Sequence, residues 1–124
     1  MTDKKENIVK DKSFRFAIQI VNVCRDLSES KKEYVLSRQL LRSGTSIGAN
    51  IREADNAESK ADFIHKMSIA QKEAAETLYW LELLMETSYI TSKEYATLNE
   101  DAIGIIKLIK RILITAKGNL DNIH

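Results

Sequence analysis

Three arginines in one predicted helix, Arg38, Arg42 and Arg52, with Asn50 between the last two, are the residues of this sequence best suited to contacting phosphate. A guanidinium donates in a planar fork that matches phosphate oxygens. Arg38 and Arg42 are four apart and share a helix face, and Arg52 lies about 80° round from Arg42 on a broad polar side. Lys107, Lys110, Arg111 and Lys117 form a second basic stretch with no acid among them. Contacts of this kind give salt-dependent, sequence-tolerant binding to nucleic acid. The competing reading is a set of solvated helix faces whose arginines pair, within or between subunits, with Glu53, Glu73 and Glu76. There is no RNA-binding signature and no interleaved aromatic platform.

Other chemistries fare worse. Asp62-x-x-His65 sets a carboxylate and an imidazole one turn apart, but a di-metal bundle site needs Glu-x-x-His from two helices. The only other histidine is the terminal His124, so no metal site and no cofactor are expected. His65 is read as a polar edge residue. Cys24 sits among Ile20, Val21, Val23 and Leu27, where a small buried side chain is expected, and nothing nearby would depress its pKa. A single cysteine forms no intramolecular disulfide, which favours a reducing compartment. No catalytic triad is apparent. Gly44-x-x-x-Gly48 lacks the lysine of a phosphate loop, so the expectation is no enzyme. Each glycine inside a helix costs about 1 kcal/mol relative to alanine, so Gly44 and Gly48 mark a close approach to the backbone by a helix, a subunit or a ligand. Arg42, Ser46, Asn50 and Glu53 are a candidate hydrogen-bond network for subunit register, together with the packing pair Gly44 and Gly48.

The elements that would position these groups follow from composition and periodicity. The chain has 124 residues, no proline and only four glycines, which suits one domain of long helices. Net charge is +1, but unevenly spread: residues 1–72 carry net +4, residues 73–101 net −6 and residues 102–124 net +3. No signal peptide and no transmembrane run is read, so the expected location is the cytoplasm with no membrane partner.

Residues 1–12 are charged and expected to be partly disordered, followed by a bundle domain over 13–118 and a tail over 119–124. The first helix is predicted from about Ser13 to Leu27, with two apolar stripes, one through Phe14, Ile18, Val21 and Cys24 and one through Phe16, Ile20, Val23 and Leu27. Ser30-Lys31-Lys32-Glu33 reads as a capping box for a second helix reaching about Ala54. That helix either breaks at Ser43-Gly44 or continues, and the unbroken stripe Leu40, Gly44, Ile47, Ile51 favours continuity. Ser59 to Asp62 and Thr91 to Glu94 are two further boxes. The third helix carries Phe63, Met67, Ala70, Ala74, Thr77, Leu81 and Leu84 to near Ser88, its alanines suited to pack on Gly44 and Gly48. The fourth carries Tyr95, Leu98, Ala102, Ile105, Ile109, Ile112 and Ala116 and is expected to close at Gly118. Short connections make these neighbours antiparallel, so the fold class is all-α, an up-down-up-down four-helix bundle. The second apolar rows on the first and fourth helices exceed what one core needs and point to self-association.

Residues 36–84 resemble the bacterial 23S rRNA intervening-sequence protein family. The resemblance rests on Gln39 to Gly44, Ser46-Ile47, Asn50 to Ala54, Ser59 to Phe63, Ile69-Ala70, Lys72 to Ala74 and Glu76-Thr77, and extends more loosely over the outer helices. It implies a four-helix bundle in a ring-like homo-oligomer, a pentamer. It also implies a link to ribosomal RNA, because some members are encoded within insertions in rRNA genes. A related group consists of accessory proteins of diversity-generating retroelements, which act with a reverse transcriptase and RNA. The near-neutral charge of this chain departs from that role. The expected function is a non-enzymatic, self-associating, RNA-associated binding or scaffold protein. The alternative is a protein-protein interaction module with no nucleic-acid role.

Overall fold

The computed structural model describes residues 4–123, with side chains up to residue 118. Four helices follow one another: α1 (Lys4–Glu29), α2 (Val35–Asp55), α3 (Lys60–Glu86) and α4 (Ser92–Ile123). The connections, residues 30–34, 56–59 and 87–91, are too short for anything but antiparallel neighbours. Backbone packing runs α1 on α2, α2 on α3, α3 on α4 and α4 on α1, while among the described residues the backbones of the diagonal pairs α1–α3 and α2–α4 do not approach closely. This is the expected four-helix bundle.

Each helix buries residues at steps of three and four. Phe16, Ile20 and Leu27 of α1 meet Leu40 and Ile47 of α2, Met67, Leu81 and Leu84 of α3, and Ile105 and Ile109 of α4 in one cluster, all essentially inaccessible to solvent. Removing such side chains from water is the main favourable contribution to folding, about 1.5–3 kcal/mol for each large residue. Two hydroxyls inside the core satisfy one another. Thr77 and Ser43 hydrogen-bond at 3.0 Å between α3 and α2, and Thr77 Oγ1 also lies 2.8 Å from the Glu73 carbonyl oxygen. Among the described residues no buried side-chain polar atom lacks a partner.

Two of the three predicted caps form. Ser59 Oγ accepts from the Asp62 amide at 3.0 Å. Thr91 and Glu94 make the full reciprocal box, Thr91 Oγ1 accepting from the Glu94 amide at 3.0 Å and Glu94 Oε1 from the Thr91 amide at 2.9 Å. The Ser30 box does not form. Lys32 takes a left-handed φ of 58°, the Glu33 amide donates back to the Leu27 carbonyl, and the chain is spent on ending α1. Glu33 caps α2 instead, its Oε1 accepting from the Ser37 amide at 2.7 Å.

The helix ends also differ from the sequence expectation. α1 starts at Lys4 rather than near Ser13, so residues 4–12 are helical. The reason is Val9, which continues the Phe16 and Ile20 stripe backwards and is fully buried. Lys10 Nζ ties the same stretch to Asp55 of α2 at 2.9 Å. At the other end α4 runs through Gly118 to Ile123. Gly118 lacks the positive φ of a C-terminal cap, so the expected tail over 119–124 is helical through residue 123. His124 lies outside the described residues. α2 is continuous through Ser43-Gly44, as its unbroken stripe indicated.

Candidate interaction surface

Gly44 and Gly48 let α1 approach α2. A Cβ on Gly44 would lie 2.9 Å from both Cγ1 and Cγ2 of Ile20, and one on Gly48 would lie 3.4 Å from the Ser13 carbonyl oxygen. The close neighbour is therefore α1, not the Ala70 and Ala74 surface of α3 and not a ligand. The close approach seats the Cys24 thiol 3.2 Å from the Ser37 carbonyl oxygen, and burial pushes that thiol up to about 12. Cys24 is thus the inert packing residue expected, since only the thiolate is reactive.

Bringing α1 and α2 together sets two outward stripes side by side. On α1 the stripe is Phe14, Ile18, Val21 and Arg25. On α2, running the other way, it is Tyr34, Arg38, Leu41, Thr45 and Arg52. Phe14 and Ile18 remain about half exposed, at 52% and 48%, and Leu41 at 38%. Arg52 lies over the Phe14 ring, its guanidinium carbon 5.1 Å from the centroid. At the opposite end Val21, Cys24 and Leu41 floor an open groove of about 300 Å³ rimmed by Arg25, Arg38 and Tyr34. Neither stripe contains an acid. The sequence shows Phe14, Ile18 and Val21 as one of two apolar stripes on the first helix, together more than one core needs, and does not single out Arg25. The signal available was the surplus apolar row on the first helix.

The three arginines of α2 do not act as one face. Arg38 and Arg52 belong to the α1 side. Arg42 points to α3, where it pairs with Glu73 at 3.2 Å and also with Glu76, which accepts from the Trp80 indole N–H at 2.9 Å. Asn50 donates to the Ser46 carbonyl and hydroxyl oxygens at 2.9 and 3.1 Å, and Glu53 pairs with Lys66 at 2.9 Å. The Glu53 carboxylate, by hydrogen bond and charge, raises the pKa of Lys66 above its usual value. Arg42, Ser46, Asn50 and Glu53 therefore find partners within the chain as separate α2 and α2–α3 contacts, and no single network links them.

Lys107, Lys110 and Arg111 do come together with Lys117, all exposed along the outer side of α4 and flanking Ile114, which is 72% exposed. Among the described residues none of the four cations has an ion-pair partner. Because α2 and α4 are diagonal, Arg38 and Arg52 on the α1 side of α2 are separate from the α4 cations. His65 is exposed on α3, and among the described residues no group of three or more His, Cys, Asp or Glu side chains could hold a metal ion. No described helix is long and apolar enough to cross a membrane.

Comparison with known proteins gives this arrangement a lineage. No curated protein matches the chain. A solved structure of a protein of unknown function from the S23 ribosomal protein family of Bacteroides thetaiotaomicron is 58% identical, with a TM-score of 0.87, covering 88% of this chain and 97% of that one. Residues 5–111, which take in nearly all of α1, the whole of α2 and α3, the three connections and α4 as far as Arg111, match the 23S rRNA-intervening sequence protein family, and the chain belongs to it.

Proposed function

We propose that this protein is a non-enzymatic, self-associating bundle of the cytoplasm that binds structured RNA through the outer side of α4. The observation that carries the nucleic-acid part is the acid-free strip of Lys107, Lys110, Arg111 and Lys117, exposed and unpaired among the described residues. A cation already held by a carboxylate gains little from phosphate, so Arg42 drops out of the candidate set. The family's name links its members to 23S rRNA, which makes ribosomal RNA the first ligand to try. Self-association repeats the strip in every copy and raises the effective concentration of cations along one RNA.

The test is fluorescence anisotropy with a structured RNA at about 50 and about 200 mM salt. Three or so phosphate contacts give a loss of about 20- to 40-fold across that range. The triple variant Lys107→Ala, Lys110→Ala, Arg111→Ala is expected to weaken binding and to flatten the salt slope by about 2–3. Absence of binding at the lower salt by the folded protein refutes the RNA reading.

A second reading, a protein-protein interaction module without a nucleic-acid role, is favoured by the exposed Phe14, Ile18 and Leu41 between α1 and α2. An apolar patch of this kind marks a partner surface more directly than it marks RNA. The two readings separate on the anisotropy result, since the apolar surface would persist in a protein that binds no RNA.

A further inference from the structure

We infer that the Arg25–Arg38 end of the α1–α2 groove receives a second copy of this chain, which inserts Tyr79 of its α3 with Glu82 and Glu86 set against the two arginines. This inference rests on the self-association reading above and names the two surfaces that meet.

The groove defines its occupant. Its floor is apolar, Val21 and Leu41, and its rim carries Arg25 and Arg38 with no acid on either stripe. Neither arginine has an ion-pair partner among the described residues. The complementary shape is a protruding apolar side chain with carboxylates within a turn or two of it. Outside the α1–α2 side, the described residues of α3 and α4 include three exposed large apolar side chains, Tyr79, Ile103 and Ile114. Ile114 stands among Lys110, Arg111 and Lys117, so like charge excludes it from an arginine-rimmed groove. Ile103 has Glu100 on one side and Lys107 on the other. Tyr79, 58% exposed, has Glu82 one turn on and Glu86 two turns on, in the same outward stripe of α3. Both carboxylates are exposed, and among the described residues neither has an ion-pair partner. They lie in the acidic stretch of the chain, whose net charge of −6 over residues 73–101 opposes the +4 over residues 1–72.

The contact is head-to-tail. Each copy uses its α1–α2 groove once and its α3 stripe once, so the next copy's groove is left free. Such heterologous contacts close into a ring when the rotation between copies closes.

Size-exclusion chromatography with light scattering, at a fixed protomer concentration and with circular dichroism to follow helix content, tests the pairing. The wild type is expected to be an oligomer. Arg25→Glu with Arg38→Glu, and separately Glu82→Arg with Glu86→Arg, are each expected to raise the concentration for half-assembly at least tenfold while keeping the helical spectrum, since all four side chains are exposed. The fourfold exchange of both sets is expected to restore the mass. Tyr79→Ser tests the same contact through its apolar part and is expected to weaken assembly. A monomeric wild type overturns both self-association and this inference. An oligomer whose mass survives both charge reversals and Tyr79→Ser, or one that the fourfold exchange fails to rescue, overturns the pairing while leaving self-association standing.

Discussion

Replacing Gly44 by alanine sets two opposing terms against each other at one atom. Alanine favours the helix by about 1 kcal/mol over glycine. The new methyl, however, would sit 2.9 Å from both Ile20 γ carbons and 3.3 Å from Ile20 Cβ. Ile20 is β-branched and fully buried, so rotating χ1 exchanges one crowding carbon for another, and Cβ moves only with the α1 backbone. Overpacking of this kind costs about 1–3 kcal/mol, and rigidity puts this case near the upper end. The expected net effect is a loss of about 1–2 kcal/mol. Two glycines in the same fold calibrate it. Gly104 has no atom within 4 Å of its added methyl, so Gly104→Ala should gain close to the full helical increment, about 1 kcal/mol. Gly48, with its nearest atom at 3.4 Å, should fall between. Urea denaturation at fixed protomer concentration, so that assembly does not move the midpoint, should separate Gly44→Ala from Gly104→Ala by roughly 1–2 M for a slope of about 1.5 kcal/mol per molar urea. In an Ile20→Ala background the cost at Gly44 should largely vanish, because the crowding γ carbons are gone. Equal stabilities for Gly44→Ala and Gly104→Ala would refute the close approach of α1 and α2 on which the groove depends.

Two further expectations concern the ends and the interior of the same helix pair. Ser30→Ala should leave thermal stability almost unchanged, whereas Glu33→Ala should cost about 1 kcal/mol, because Glu33 and not Ser30 holds the first turn of α2. The reverse order of melting temperatures would restore the capping box read from the sequence. Burial raises Cys24 from an ordinary 9.0 to about 12, so the folded state keeps the thiol proton longer than the unfolded state does. The associated stability is whole below pH 9 and is lost as pH rises through about 12. Wild-type urea midpoints should therefore fall more steeply between pH 9 and pH 11 than those of Cys24→Ala, and parallel curves would count against a buried thiol.

Much of this fold is local and was legible residue by residue. The stripes through Leu40, Ile47 and Ile51 and through Met67, Leu81 and Leu84 set helices and inward faces, because the 3.6-residue period lines those positions up whatever surrounds them. The caps at Ser59 and Thr91 were likewise legible, since each involves side chains and amides three residues apart. Ser30 failed where that locality failed: the end of α1, set by long-range packing of Leu27, took the residues that the cap needed.

The candidate surfaces divide along the same line. The α4 cations stayed together in one exposed row, because Lys107, Lys110 and Arg111 share one helix and face solvent. The α2 arginines did not, because a helical period says which residues lie near one another in angle but not which neighbour occupies that angle. Sequence alone determined four antiparallel amphipathic helices with surplus apolar rows. Only the tertiary structure decided that α1 lies against Gly44 and Gly48, that α3 presents Glu73 and Glu76 to Arg42, and that Arg38 is left facing Arg25 across an apolar groove. Those choices depend on how four helices pass one another, and the energies that fix them come from contacts between residues far apart in the chain.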